Sequence, residues 1–452
     1  MTIARSRRTA LSILADIRRR GAFSRPVVDA SLKESGLSRE DSAFASRLVY
    51  GVITAEGTLD ALIDGFAKRP GAVEPRVRDV LRMSICELLY LSTPPRAAVH
   101  QGVDAVRQVR PAAAGFANAV LRQIAEKATA FPWGDIRSDR DALARASAMP
   151  RWLVDVFLED LGDEAGVAAL LAGVEPPPMY VRVNPFRADR ETAIRQLTED
   201  GADPQPSPPD PGCIHCASAR GAVHGEAVSS GMVIVSDAAA QVAPLAADPS
   251  AGSMILDIGA GRGTKTATLQ GVALSAGGAA DITAVDIHGF KLDMLAKTLA
   301  GLGIPAAQMA IVDATDGEAM SALGDRFDIV LLDAPCSGLG TLRRHPEKRW
   351  RIMPEDVDRM ARLQYSMLEA ACLVVRPGGV VVYSTCTIAR AENQGVIESL
   401  LQSDRGQAFS VRPIEGVVDE EWGRFITPEG YFRSWPEHDG ADGHFVAVLE
   451  RQ

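Results

Sequence analysis

Hydrophobic residues recur at helical spacing through the first part of the chain and change to short β-branched runs after it. From Arg5 to Glu126 the apolar positions are three and four residues apart, as in the stretch from Val77 to Leu89. Glycine or proline interrupts the spacing at Gly21, Gly36, Pro70-Gly71 and Pro94-Pro95. No alternating strand pattern occurs there. Residues 1–140 are therefore predicted to form an all-α bundle.

A region of mixed pattern extends from about residue 145 to 250. A helical stretch at residues 151–171 ends before Glu175-Pro176-Pro177-Pro178, which forbids a helix and predicts an extended connection. A strand at residues 180–185 and a helix at residues 190–197 then predict a small α/β segment. The sequence leaves open whether its polar side chains line a site or begin turns and helices; they are Arg182, Asn184, Asp237 and Gln241.

Residues 251–452 are predicted to form a doubly wound, Rossmann-like α/β domain, because short apolar runs alternate there with helical stretches. Runs at residues 255–258, 282–285, 309–312, 329–332 and 380–383 have the length and composition of buried parallel strands. Open α/β sheets bind their ligands beyond the carboxyl ends of such strands. The residues that follow each run are therefore the candidates for function.

The first run leads into a glycine-rich loop, Gly259-Ala260-Gly261-Arg262-Gly263-Thr264-Lys265, and then into a helix. Glycines let backbone amides approach a polar or anionic ligand at a helix amino terminus. A phosphate-binding P-loop needs glycine immediately before Lys-Thr, and a nicotinamide site needs a third glycine at the same place, but position 264 is Thr. The remaining interpretation is an S-adenosylmethionine site, which uses a similar loop with looser spacing.

Acidic residues end the second and third runs. Asp286 lies 23 residues beyond Gly263, at the position from which a carboxylate binds ribose hydroxyls. Asp313 ends the third run and suits the amino group of an adenine. Either acid alone is equally consistent with a helix cap. The series of polar residues at one sheet edge favours a nucleoside cofactor.

Cysteines follow the fourth and fifth runs. The fourth leads into Asp333-Ala334-Pro335-Cys336-Ser337-Gly338 and the fifth into Tyr383-Ser384-Thr385-Cys386-Thr387. If both strands are parallel members of one sheet, two thiols and a carboxylate converge, and such groups suit covalent chemistry on an electron-poor ring. The alternative is that both cysteines are small buried residues. From position alone, Cys336 and Cys386 are equal candidates for the nucleophile.

These cysteine motifs, with Glu392-Asn393 after them, resemble the Sun (nucleolar-protein) family of RNA cytosine-C5 methyltransferases. Within it, the match is to the bacterial branch that carries a NusB-like domain and modifies small-subunit (16S) ribosomal RNA. The helical module resembles the NusB family of RNA-binding domains, chiefly at residues 115–122 and 99–103. The resemblance includes the closing motifs Pro436-Glu437-His438-Asp439-Gly440 and Asp442-Gly443-His444-Phe445, but Gly259 and Arg262 replace a cysteine and a proline in the glycine-rich loop.

The resemblance implies the roles of the catalytic residues. The Cys386 thiolate would add to C6 of the target cytosine, which makes C5 nucleophilic, and Cys336 would help to resolve the adduct after methyl transfer. Asp333, protonated or sharing a proton, would hold the N3 edge of the base. No metal is implied. The residues expected to bind S-adenosylmethionine are Gly259, Ala260, Gly261, Arg262, Gly263, Thr264, Lys265, Asp286, Asp313 and Asp333.

The charge distribution is consistent with an RNA partner for the helical module. Residues 1–140 contain 22 Lys and Arg against 15 Asp and Glu, a formal charge of +7. Because the whole chain has a net charge of −10, residues 141–452 carry −17. Arginines recur near the start, at positions 5, 7, 8, 18, 19 and 20. A second basic run, residues 343–351 with Trp350, is predicted to contact phosphates and to stack on bases.

Other features predict a cytoplasmic monomer. The chain has six cysteines and no apolar run of roughly 18 residues, and its amino terminus lacks a secretion signal, so a reduced setting without a membrane segment is expected. Cys213-Ile214-His215-Cys216 has no second cysteine pair nearby and is predicted to be structural rather than a zinc site.

Two other functions remain open from the sequence. One is an RNA-binding assembly or antitermination factor with a vestigial catalytic half, which the intact cysteine pair and Asp333 count against. The other is methylation of DNA. The helical module, which resembles RNA-binding domains, counts against a DNA substrate.

Overall fold

The computed structural model describes residues 3–21, 24–67, 69–438 and 440–452 of the chain. The chain forms two compact units, one of Met1–Glu175 with Leu342–Ile352, the other of Pro176–Thr341 with Met353–Gln452. Asp439 of the first closing motif lies outside the described residues. In the part of the chain that the structure covers, every helix is too short or too polar to cross a bilayer.

The first unit is helical, so the predicted bundle is confirmed. Proline occupies the first turn of two helices, where its missing N–H costs nothing, and Ser38 caps a third by accepting from Asp41 N. The helices are α1 (Arg5–Arg20), α2 (Ser24–Glu34), α3 (Arg39–Thr54), α4 (Glu56–Phe66), α5 (Pro75–Leu89), α6 (Pro95–Val109), α7 (Ala114–Lys127), α8 (Arg140–Ser147), α9 (Arg151–Leu161) and α10 (Asp163–Ala172).

The segment Leu342–Ile352 completes this helical unit although it is distant in sequence. Trp350 donates its indole N–H to Thr54 O at 2.8 Å, and its ring lies where Gly57 has no side chain. A Cβ at Gly57 would be 2.2 Å from the ring. Glu347 is buried and accepts hydrogen bonds from the backbone N and the Oγ of Ser24, at 3.1 and 3.0 Å.

Arg349 of the same segment is fully buried. Burial lowers the pKa of its guanidinium to about 9, which still leaves it charged at neutral pH. The two terminal nitrogens donate to carbonyl oxygens at 2.9 to 3.4 Å; these belong to Ser147, Ala148, Gly173 and Leu342. The interpretation of the basic run as an RNA-contacting loop is therefore wrong for Arg349 and Trp350, which are held by protein backbone.

The second unit contains a small antiparallel sheet of order β2-β3-β1-β4. Its elements are β1 (Met179–Val183), α11 (Arg190–Glu199), β2 (Pro204–Pro206), β3 (Cys213–Cys216), α12 (Ala219–His224), α13 (Glu226–Ser229), β4 (Val233–Val235) and α14 (Val242–Ala247). Cys213 and Cys216 lie on opposite faces of β3, in two separate apolar clusters. Two sulfur atoms on opposite faces cannot share one metal ion.

The larger sheet of this unit has the order β10-β12-β9-β8-β5-β6-β7, with β11 paired to β12. Strands β5 to β9 are parallel, so the predicted doubly wound domain is confirmed, and β12 joins β9 antiparallel. Its elements are β5 (Met254–Ile258), α15 (Thr264–Ser275), β6 (Asp281–Asp286), α16 (Gly289–Leu302), β7 (Gln308–Ile311), α17 (Gly317–Ser321), β8 (Phe327–Asp333), α18 (Pro354–Ala371), β9 (Val375–Thr385), α19 (Gln394–Leu401), β10 (Phe409–Arg412), β11 (Phe432–Arg433) and β12 (Phe445–Arg451).

Replacing Arg349 with Met is expected to destabilise the helical unit by about 2–4 kcal/mol, because buried carbonyl oxygens would lose their donor. Urea unfolding followed by circular dichroism measures the effect. Arg351→Met is the matched control: this side chain is exposed and donates to Gly21 O at 3.3 Å, so its loss should cost less than about 0.5 kcal/mol. Equal stability of the two variants would contradict the structural role of Arg349.

Candidate active site

The candidate site begins where β8 and β9 end. The two strands are parallel neighbours, with Leu332 opposite Tyr383 and Asp333 opposite Ser384. The loops that continue them bring the Cys336 and Cys386 sulfur atoms to 3.3 Å from each other. Both are free thiols and both are partly exposed, unlike the buried Cys86, Cys213, Cys216 and Cys372. The structure thus places the two predicted cysteines together.

The two thiols are electrostatically different. The hydrogen bond to Cys386, followed by burial and by the charge of Glu392, raises the pKa of the Cys336 thiol well above its ordinary value. Either thiol can donate the sulfur-to-sulfur hydrogen bond, so a thiolate on one sulfur is stabilised by the proton of the other.

Lys265 and Asp333 form an ion pair beside the thiols, with Nζ 2.8 Å from Oδ2. Burial alone would lower the pKa of Lys265, but the charge and hydrogen bond of Asp333, together with Cys386 and Asp257, raise it. Lys265 is therefore a cation close enough to Cys386 to favour its thiolate. Asp333 is thereby held at the end of β8 by a direct contact with the cation.

The glycine-rich loop runs from β5 to α15 in a conformation that needs glycine. Gly259, Gly261 and Gly263 have φ values of +75°, +56° and +86°. A Cβ at Gly259 would lie 2.8 Å from Asp333 O, so the loop passes directly over the end of β8. Gly259, one of the two departures from the family pattern, therefore fits this backbone. The other departure, Arg262, is exposed.

Asp257 is a site residue that the sequence analysis missed. It is fully buried at the end of β5, and Thr266 donates to its Oδ2 at 2.6 Å, while Oδ1 has no hydrogen-bond partner among the described residues. Burial raises its pKa to about 7, and Asp333 adds to the rise. Its position directly before the glycine-rich loop was the signal in the sequence.

Asp286 and Asp313 lie at the carboxyl ends of the neighbouring strands β6 and β7. Asp286 accepts from His288 N at 2.9 Å and pairs with Lys291 at 3.2 Å. Asp313 is exposed, and hydrogen bonds from the Thr315 backbone and side chain lower its pKa. Both acids therefore also stabilise the turns that follow their strands, which is the helix-cap role that the sequence left open for them.

Apolar side chains are exposed on this side of the sheet, and the sequence analysis missed them too. Ile287, Phe290 and Ile311 have 53%, 62% and 67% of their surface exposed. Ile287 directly follows Asp286, and Ile311 ends β7 two residues before Asp313. Exposed apolar groups next to carboxylates suit a flat base that carries hydroxyl groups and an amino group.

The polar residues of the small sheet have structural roles. Arg182 is buried, donates to both Asp210 oxygens at 2.8 and 3.1 Å and donates to Gln241 Oε1 at 3.1 Å. Asn184 is fully buried and donates to two backbone carbonyl oxygens. Asp237 accepts from Ala239 N and Asp442 N. For these side chains the structure favours turn and helix-start roles over a place in the site.

Family models match three successive stretches of the chain. A family model described as "16S rRNA methyltransferase RsmB/F" matches residues 244–450, one of the NusB family matches residues 4–126, and one of a ferredoxin-like domain of RsmF/B-like methyltransferases matches residues 149–223. The solved structure of PH0851 is 25% identical, has a TM-score of 0.79 and covers 100% of both chains. NSun6 from Pyrococcus horikoshii, 19% identical with a TM-score of 0.57, covers 67% of this chain and shares the fold.

Whole-length relatives give the same result. A putative methyltransferase of Mycobacterium tuberculosis is 34% identical over 99% of this chain and 96% of its own length. A probable ribosomal RNA small subunit methyltransferase B of Synechocystis is 30% identical over 99% of both chains. A ribosomal RNA small subunit methyltransferase B of Xylella fastidiosa is 31% identical over 91% of this chain and 92% of its own length. This chain therefore belongs to the RsmB/F family of ribosomal RNA methyltransferases, which use S-adenosylmethionine as the methyl donor.

Proposed function

We propose that this protein methylates C5 of a cytosine in small-subunit (16S) ribosomal RNA, in the cytoplasm, through a covalent cysteine adduct. The observation that carries the proposal is the pair of thiols 3.3 Å apart, with the Lys265–Asp333 ion pair beside them. A single thiol is enough for simple addition, and a second at this distance suits a reaction in which a sulfur must also leave. The names of the Synechocystis and Xylella relatives support the small-subunit substrate.

The chemistry follows from the electron demand of the pyrimidine ring. The sulfur of Cys386 adds to C6, and the electron pair of the C5–C6 double bond becomes available at C5. Bound S-adenosylmethionine supplies an electrophilic methyl group to C5. Loss of the C5 proton then drives the C6–S bond to break, which restores the double bond and the thiolate. The target base must leave its stack to reach the sulfur.

Cys386 is assigned as the nucleophile, as the family resemblance implies, and the positive charge of Lys265 favours its thiolate. The Cys336 sulfur lies 3.3 Å from the sulfur that must leave, so Cys336 is positioned to assist the release of the adduct. Asp333 and Lys265 together provide an acceptor and a donor for the polar edge of the base.

The residues of the loop and strand ends fit S-adenosylmethionine. The glycine-rich loop offers backbone amides at the amino terminus of α15, and the unpartnered Oδ1 of buried Asp257 is an acceptor suited to the cationic amino group of a methionine moiety. Asp286 would hold ribose hydroxyls, and Asp313 would hold the adenine amino group, with Ile287 as an apolar contact for the ring.

The helical unit is proposed to bind the RNA through a groove along α6 and α7. The arginines at the start of the chain are less suited than expected, because Arg7 and Arg18 are in ion pairs with the buried acids Glu87 and Asp79. The groove has a volume of about 1110 Å³ and is lined by the exposed Arg96 and Arg122. Arg107 and His100 also line it but contact Asp104 there, and Glu126 is a second acid in the lining. It includes both stretches that resemble the NusB family.

The function is tested by incubating the protein with labelled S-adenosylmethionine and either small-subunit rRNA or duplex DNA. Label should enter the RNA alone, and bisulfite sequencing should identify a single resistant cytosine. Label in DNA, or a methylated position other than cytosine C5, would refute the proposed substrate or the proposed atom. Absence of cofactor binding in calorimetry would support a non-catalytic RNA-binding role.

The two cysteine variants should fail differently. Cys386→Ala should lose methyl transfer by about 10³-fold or more, because no other sulfur reaches C6. Cys336→Ala should still transfer the methyl group once but accumulate a protein–RNA adduct that resists denaturing gel electrophoresis. Cys372→Ala, at a buried free thiol, is the control and should behave like the parent protein. Full turnover by Cys386→Ala would show that the nucleophile is assigned wrongly.

Asp257→Asn should change the pH dependence of stability. The folded protein holds the Asp257 proton up to about pH 7, whereas the unfolded chain releases it near pH 3.8, so the parent protein loses stability relative to the variant as pH rises through that window. The full difference is about 4 kcal/mol, because the two pKa values are about three units apart. Urea unfolding between about pH 3.5 and pH 8 measures it, and a pH-independent difference would contradict the raised pKa.

A further inference from the structure

Glu392 is a fully buried carboxylate in the turn that precedes α19. Its Oε2 accepts from Ser337 N at 2.8 Å and from Gln364 Nε2 at 2.9 Å. Its Oε1 accepts from the hydroxyl of Ser337 and, at 3.3 Å, from Thr387 Oγ1. Burial raises the pKa of Glu392, and the hydrogen bonds from Ser337, Gln364 and Thr387 oppose that rise. Each carboxylate oxygen therefore accepts two hydrogen bonds.

The partners of Glu392 belong to the two cysteine loops. Ser337 directly follows Cys336, and Thr387 directly follows Cys386. The Ser337 and Thr387 hydroxyls are also 2.9 Å from each other, and because Ser337 gives its proton to Glu392, Thr387 shares its single proton between Ser337 Oγ and Glu392 Oε1. The carboxylate, both hydroxyls and one backbone amide therefore form one connected network. This network connects the two loops on the buried side of the sulfur atoms. Neither loop can shift without breaking a hydrogen bond to the other or to Glu392.

The position of Glu392 is itself fixed by neighbouring elements. Tyr383 on β9 donates its hydroxyl to Glu392 O at 2.6 Å, and the adjacent Asn393 donates to Thr387 O at 2.9 Å. Gln364 on α18 contacts Glu392 and also donates to Pro335 O at 2.8 Å, in the residue before Cys336. Contacts with strand β9 and helix α18 therefore fix the position of the carboxylate. Through its hydrogen bonds, the carboxylate in turn restricts the movement of the two cysteine loops.

We propose that Glu392 is a positioning residue that sets the separation of the Cys336 and Cys386 sulfur atoms. The hydrogen bonds that Glu392 accepts come from Ser337, Gln364 and Thr387 and not from either thiol. Its effect on the sulfur atoms is therefore exerted through Ser337 and Thr387. Its effect on turnover rests on the proposed function, because the pair must first attack and then release the base. Its effect on the sulfur-to-sulfur distance does not depend on that function.

The distance can be measured without RNA by thiol–disulfide exchange. Glutathione disulfide oxidises the pair to one protein disulfide and is reduced to two glutathione thiols, so atoms and electrons balance. The equilibrium constant gives the effective concentration of one thiol at the other, and mass spectrometry of proteolytic fragments identifies the Cys336–Cys386 bond. At 3.3 Å the sulfurs are in non-bonded contact and need to approach by only about 1.3 Å to form a disulfide, so the parent protein should show a high value.

Glu392→Ala removes both acceptors and should lower this effective concentration by about tenfold or more, with a lower kcat and an unchanged affinity for S-adenosylmethionine. Glu392→Gln keeps one acceptor oxygen for Ser337 N and should restore the value to within about threefold of the parent protein. Glu398→Ala is the matched control, since the Glu398 side chain is 45% exposed and forms an ion pair with Arg390 at 2.7 Å on the surface of α19.

An effective concentration in Glu392→Ala equal to that of the parent protein would overturn the inference. If that variant does not fold, Ser337→Ala decides, because it removes the hydroxyl bonds and leaves the backbone bond to Glu392. It should show a smaller fall in the same direction, and no fall would also overturn the inference. A fall in effective concentration in a protein that methylates no RNA would uphold the positioning role and refute the proposed function instead.

Discussion

The parallel pairing of β8 with β9 is the constraint on which the site depends. Side chains alternate along a strand, so a slip of one residue would turn every buried side chain of β9 toward the opposite face. The buried valines at 380, 381 and 382 prevent such a slip, because they are packed on both faces of the sheet. The same register that buries them carries Asp333, Cys336 and Cys386 to one sheet edge, so core packing and chemistry are specified by a single alignment.

Local patterns in the sequence were sufficient to predict most of the architecture. Helical spacing identified the bundle, and β-branched runs identified the parallel strands, because both patterns record which face of an element is buried. The two cysteines lie together only if the strands before them are neighbours in the sheet. That pairing depends on contacts between residues 50 positions apart, which no local pattern records. The sequence motifs suggested this adjacency, and the strand order establishes it.

Long-range packing accounts for what the sequence did not predict. Arg349 and Trp350 belong to a run rich in basic residues, and in sequence such a run cannot be distinguished from a solvated nucleic-acid-binding loop. Apart from Leu342 O, their partners are backbone carbonyls more than 150 residues away, and backbone groups have no signature in a sequence. The contact between Asp333 and Lys265 was likewise absent from the sequence patterns, because the two residues are 68 positions apart.

The Leu342–Ile352 segment also bears on how the chain folds as it is synthesised. The surface at Gly57 leaves the ribosome nearly 300 residues before Trp350, the side chain that covers it. At ordinary elongation rates this interval is on the order of tens of seconds, much longer than helix formation requires. The bundle is therefore synthesised long before Trp350 covers Gly57 and before Arg349 reaches the carbonyl oxygens of Ser147 and Gly173, so its final packing forms only after β8 has been translated.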